Sequence, residues 1–144
     1  MPIDIEAAQT IRAPVNLVWA FATDPANDTR WIGGLRSVRM VTSPPVGVGT
    51  RTERTAAFLG RPIQYVMEVD GMVTGDRLTM HSVAGPFPMF VTYRFTKQDD
   101  ATRMTIRVQG GPGGLLGLLS PLLALAAKRN VASDLRRLRS LMER

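Results

Sequence analysis

The chain has 144 residues, no cysteine and a formal net charge of +6, with 44% hydrophobic and 21% charged residues. That is about one domain's length with apolar content for a single core, which favours neither a disordered nor a fibrous class, and the missing cysteines exclude disulfides, thiolate zinc sites and a cysteine nucleophile. Sixteen of the eighteen basic residues are arginines spread along the chain, so the charge admits anionic partners without marking out a nucleic-acid surface.

In chain order, the opening MPIDIEAAQTIR carries acids and no apolar core, so it is not expected to act as a signal peptide. A cytoplasmic location fits a cysteine-free chain. Residues 3 to 12 alternate and predict a strand. Pro14 followed by Val15, Val18, Trp19 and Ala22 at helical spacing predicts a short amphipathic helix with proline in its first turn. Asp24-Pro25 restarts the chain, and a second short helix carries Trp31 before Gly33-Gly34 ends it. From Leu35 the period becomes two. No repeat or linker interrupts the chain, so one domain over residues 1–144 is expected.

Hairpin partners must share a face of a sheet, and this sets the register. A two-residue loop at Gly60-Arg61 pairs Phe58 with Ile63, Ala56 with Tyr65 and Arg54 with Met67. A tight connection at Gly85-Pro86 sets Ser82 against Met89, Met80 against Val91 and Leu78 against Tyr93. A tip at Asp99-Asp100 sets Phe95 against Met104, Tyr93 against Ile106 and Val91 against Val108. All three turns place the same apolar set on one face, while Arg51, Glu53, Gln64, Glu68, Thr79, His81, Thr92, Arg94, Thr105 and Arg107 gather on the other. The pattern predicts an antiparallel sheet with one wet side.

The segment GGPGGLLGLLSPLLALAAKR supplies a cover for the dry side. Ser120 suits a helix N-cap and Pro121 the first helical position, and a helix from there to about Glu143 would be roughly 36 Å long. Its later half carries Val131, Leu135, Leu138 and Met142 on one stripe; Arg136, Arg137 and Arg139 lie elsewhere and form a solvated basic end. Its earlier half is apolar nearly all round. The apolar stretch from Leu115 to Ala127 is shorter than the roughly 20 residues a membrane span needs. Contact with acidic membrane lipid through the basic end stays open, and nucleic acid is not expected.

This order of elements resembles the helix-grip fold of the START-like (Bet v 1-like, SRPBCC) superfamily, and within it the polyketide cyclase/dehydrase and lipid-transport group. The resemblance rests on IRAPVNLVWAFATDPANDTRW, VGVGTRTERTAAFLGRPIQYVMEV, VAGPFPMFVTYRFT and GGPGGLLGLLSPLLALAAKR, and covers nearly the whole chain. It implies an α+β fold with a curved antiparallel sheet around a long C-terminal helix, two short helices after the first strand, and a cavity for an apolar molecule. The apolar start of the long helix would then form cavity wall and mouth; plain packing against the sheet, or a homodimer contact, would also bury it. The implied activity is binding of a hydrophobic small molecule, lipid-like or aromatic polyketide-like, with no cofactor. A polyketide cyclase or dehydratase is the alternative, and a protein-interaction module using exposed leucines a second one.

The candidate ligand-binding residues are Arg54, Tyr65, Met67, Met80, Ser82, Met89, Tyr93, Leu119 and Leu122. Arg54 falls on the apolar face, where a guanidinium needs a partner; a ligand carboxylate, enol or phenol oxygen, or an acid from a neighbouring loop, could supply it. Tyr65, Tyr93, Ser82 and Thr52 bring hydroxyls to the same face. Met67, Met80, Met89 and Met104 bring adaptable thioethers or ordinary core packing. His81 is the only histidine and falls on the wet face, so neither a histidine metal cluster nor a catalytic role is expected. No close pair of acids appears on the inner face, which counts against a hydrolase. Gly110 to Gly114 lacks the residues of a phosphate loop and reads as a flexible corner. The residues leave the catalytic set unassigned.

Overall fold

A computed structural model describes residues 3–58, 60–113 and 120–144. Strand β1 (Ile3–Ile11) leads into helix α1 (Val15–Ala22), a 3-10 turn (Pro25–Asn27) and the single-turn helix α2 (Asp28–Trp31). Strands β2 (Leu35–Met40), β3 (Arg51–Phe58), β4 (Arg61–Val73), β5 (Arg77–Ala84), β6 (Met89–Gln98) and β7 (Ala101–Gly110) follow, and helix α3 (Ser120–Met142) ends the chain. The strands form one antiparallel sheet in the order β1-β7-β6-β5-β4-β3-β2. Each of β2 to β7 thus pairs with its chain neighbour, and β1 joins the far edge through β7. This curled sheet with a long terminal helix and short helices after the first strand is the helix-grip fold.

Two of the expected registers stand as read. Phe95 faces Met104 and Tyr93 faces Ile106 across β6 and β7, with Asp99 turning the tip at a φ of 55°. Leu78 faces Tyr93 and Met80 faces Val91 across β5 and β6. The β3–β4 register differs by two residues: Phe58 faces Arg61, and Arg54 faces Tyr65 rather than Met67. Gly60 takes a φ of +78° and ends the loop instead of starting it. A shift of two keeps every side chain on its own face, because the pleat repeats every second residue; Arg54 therefore still points inward.

A bulge at Asp70 breaks the β4–β5 register between Val69 and Gly71, and the extra residue lets both Val69 and Met72 pack on the core. Gly71 is required there, since a Cβ would lie 2.5 Å from Thr79 Oγ1. On the core side, Trp19 of α1 meets Phe95 edge to face at 5.1 Å, and Leu135 and Leu138 of α3 are fully buried. Buried Thr102 donates from Oγ1 to the Ala13 carbonyl at 2.8 Å and fixes the entry to α1. At the other end of the chain, Glu143 accepts from the Arg12 amide at 2.9 Å, tying the end of α3 to the end of β1. The wet face carries cross-strand ion pairs such as Arg51–Glu68 at 2.8 Å and Arg107–Asp4 at 2.7 Å, and His81 lies there beside Asp70 at 2.7 Å. Among the described residues, no helix is long and apolar enough to cross a membrane.

Candidate functional site

Between the sheet, α2 and α3 lies a cavity of about 180 Å³. The sheet contributes Leu35, Met67, Met80, Met89, Val91, Ile106 and Val108; Trp31 and Ile32 enter from α2 and its exit, and Val131 from α3. Arg54, Tyr65, Tyr93 and Asp134 are the polar residues in the same wall. Six of the residues singled out from the sequence therefore meet here: Arg54, Tyr65, Met67, Met80, Met89 and Tyr93.

The others do not. Ser82 is absent from the wall, because the β5–β6 ladder stops at His81 and Phe90 and the Ser82 hydroxyl accepts the Met89 amide at 2.9 Å in its place. Leu122 is 67% exposed; it precedes Val131 by nine residues, two and a half helical turns, and so faces the opposite side of α3. Leu119 and Gly114 lie outside the described residues. Met104 is fully buried in the core and lines no part of the cavity.

Arg54 finds its partner within the protein. Its guanidinium lies 2.9 Å from the Asp28 carboxylate, with both side chains at least 92% buried, and its Nε donates to Thr52 Oγ1 at 3.0 Å. Burial raises the Asp28 pKa to about 6, while the Arg54 charge pulls it back. The second Asp28 oxygen, Oδ1, and Nε1 of Trp31 one turn on are both buried and make no well-formed hydrogen bond, but the indole N–H is close enough to Asp28 to help lower its pKa. Burial also raises the pKa of the Tyr65 and Tyr93 hydroxyls, with the Arg54 charge opposing it. Both stay as O–H groups at neutral pH. The Tyr93 ring rests against Trp31 at 5.9 Å, which holds the aromatic part of the wall.

A second carboxyl stands at the helix side. Asp134 accepts from the Gly33 amide at 2.9 Å and from Arg137 at 3.3 Å, and Arg137 also donates to the Trp31 carbonyl at 2.8 Å. These bonds clamp the α2–β2 link to α3 across the cavity. Burial raises the Asp134 pKa against these bonds. Arg137, read from the sequence as part of a solvated basic end, is thus a structural tie.

Behind the Arg54–Asp28 pair is a much smaller space of about 20 Å³, bordered by Thr23, Thr50, Thr52, Asp28 and Arg54. Its size would admit a single water, which needs roughly 10–15 Å³, though Val46, Met67, Val69, Leu78 and Met80 make most of its wall apolar. Arg54 borders both spaces, whereas Asp28 borders only the small one. The pair therefore joins the two spaces.

The sequence reading missed both carboxyls. Asp134 carried a readable signal: with Val131, Leu135 and Leu138 it occupies positions i, i+3, i+4 and i+7 of one helical stripe, where an acid needs a reason. Asp28 carried less, since α2 is a single turn; only its spacing of three from Trp31 placed the two on one face.

The model of one family, polyketide cyclase / dehydrase and lipid transport, matches residues 2–143. The chain belongs to this family. Solved structures agree with this family's fold. TTHA0849 from Thermus thermophilus superposes with a TM-score of 0.83 at 23% identity, covering 95% of this chain and 94% of that one. A START superfamily protein from Mycobacterium smegmatis gives 0.80 at 11% identity, covering 97% of both chains. The ZhuI aromatase/cyclase from Streptomyces sp. R1128 gives 0.78 at 17% identity, covering 98% of this chain and 93% of that one. At these identities the likeness is one of fold. A search of curated proteins gave no match.

Proposed function

We propose that this family member binds a hydrophobic small molecule, lipid-like or aromatic polyketide-like, in the cavity between the sheet and α3. The observation that carries the reading is an apolar space of about 180 Å³ with its polar groups gathered on a few residues. For scale, an apolar cavity of about 150 Å³ admits benzene. The pocket accordingly suits one aromatic ring system or one segment of an acyl chain. Every 100 Å² of ligand apolar area buried contributes roughly 2.5 kcal/mol before ordering costs. Met67, Met80 and Met89 would shape themselves around the guest, and Arg54, Tyr65 and Tyr93 would orient its oxygen. Mass spectrometry of the natively purified protein tests this: a co-purifying apolar molecule, lost on Val131→Phe, supports the reading. A protein that stays empty and gains no thermal stability from fatty acids or aromatic polyketides refutes it.

A second reading is an enzyme of the cyclase or dehydratase type. Tyr65, Tyr93 and Asp134 line the cavity, the tyrosines protonated and the Asp134 pKa raised by burial, and such groups can exchange a proton with an enolisable ketone. The fold it shares with an aromatase/cyclase adds to the case. Under this reading a poly-β-ketone is turned over, and Tyr65→Phe or Tyr93→Phe lowers kcat rather than affinity alone.

A further inference from the structure

We propose that Asp28 sets the charge specificity of the cavity: by neutralising Arg54 from behind, it makes the site accept an uncharged ligand carrying a carbonyl-type acceptor and refuse a carboxylate. The inference rests on the reading that the cavity binds a small molecule, and it narrows the class of that molecule.

Three observations carry it. First, Arg54 borders the cavity, and its guanidinium is already paired at 2.9 Å with the carboxylate of Asp28, which does not border it. Both partners are buried, so little solvent screens the pair. A ligand carboxylate arriving at Arg54 would compete with Asp28 for one cation and would surrender its hydration for a site of no net charge. A neutral carbonyl asks only for a hydrogen bond, and a guanidinium with five N–H donors can give one while keeping its ion pair.

Second, the remaining polar groups on this side are donors. The Tyr65 and Tyr93 hydroxyls keep their protons at neutral pH, and the buried Trp31 indole N–H is turned toward Asp28, whose pKa it helps to lower. Third, the other carboxyl in the wall, Asp134, is occupied by the Gly33 amide and Arg137. Its pairing with Arg137 leaves no free cation there, among the described residues, for an incoming anion. Asp28 therefore acts through Arg54 as a positioning residue and need not touch the ligand.

The test uses two probes of nearly equal shape, 2-acetonaphthone and 2-naphthoate, titrated calorimetrically at pH 7.5. Wild type should prefer the ketone, and Asp28→Asn, which leaves Arg54 as an uncompensated cation, should move the affinity ratio by about tenfold or more toward the naphthoate, the scale of a hydrogen bond to a charged group. A wild type that prefers the naphthoate, or a ratio unmoved by Asp28→Asn, overturns the inference and leaves the ligand-binding reading standing. Failure of both probes to bind wild type overturns that reading as well.

Where Asp28→Asn does not fold, the pH profile of folded protein decides. The charged and titratable groups around Asp28 are Arg54 on β3, Asp24 before the 3-10 turn, Tyr65 on β4 and Tyr93 on β6, and Asp134 on α3 acts on Tyr93 in turn. Only the carboxyls change charge in the acid range. Lowering the pH to 5 protonates Asp28 and should raise naphthoate affinity relative to the ketone, and Asp134→Asn should keep that shift. Its absence in wild type, or its loss in Asp134→Asn, counts against Asp28 as the determinant.

Discussion

Asp28→Asn should change the pH dependence of stability in a direction opposite to that of most carboxylates. The folded-state pKa of Asp28 is raised from 3.8 to about 6, so between those values the folded chain holds a proton that the unfolded chain has released. The stabilisation from this proton is present at low pH and is lost as pH rises through about 6. Integrating the two titration curves, the stability of wild type relative to Asp28→Asn should fall by about 2 kcal/mol between roughly pH 4.5 and 7.5. Taking the difference removes groups common to both proteins: Asp4, Asp70 and Glu143, whose lowered pKa values give the opposite slope, and Asp134, whose raised value gives the same slope. Urea unfolding followed by tryptophan fluorescence suits the measurement, since Trp19 and Trp31 are both buried. A difference that stays level across this range, or grows with pH, would refute the argument by showing that burial does not outweigh the Arg54 charge at this carboxyl.

Other consequences concern the pair and the backbone that frames the cavity. The double replacement Asp28→Leu with Arg54→Met should melt at or above the wild-type temperature, because exchanging a buried ion pair for apolar groups is often neutral or stabilising, whereas Arg54→Met alone should melt lower. Thr102→Val should cost about 1–2 kcal/mol in urea unfolding, since it leaves the Ala13 carbonyl buried without its donor. Gly110→Ala should destabilise severely by thermal melting: Gly110 has a φ of +113°, and an added Cβ would collide with the Pro88 carbonyl. Retention of the wild-type melting temperature in that variant would contradict the described corner.

The fold was legible because it rests on a period of two. Turn residues placed Phe95 opposite Met104 and Met80 opposite Val91, and even the two-residue error at Gly60 left Arg54 on the inner face. The Asp70 bulge left only Gly71 as its trace, since an extra residue in one strand shifts register without a composition signal. The candidate site was legible on the sheet side for the same reason, as Tyr65, Met67, Met80 and Tyr93 follow from parity. Its helix side was not. Asp28 lies on one turn, too short for any periodicity, and its role depends on a contact with Arg54 that is 26 residues distant in the chain. Leu122 was placed by hydrophobicity where helical angle should have decided, and the angle sends it outward.

A crystal structure grown with 2-acetonaphthone tests the central claim most directly. The account predicts the ring system among Trp31, Met80 and Val108, its carbonyl within hydrogen-bond distance of Arg54, and the Arg54–Asp28 pair intact behind it. A cavity closed by its own side chains, with the probe absent or lying against the exposed Leu122 and Leu125, would contradict it.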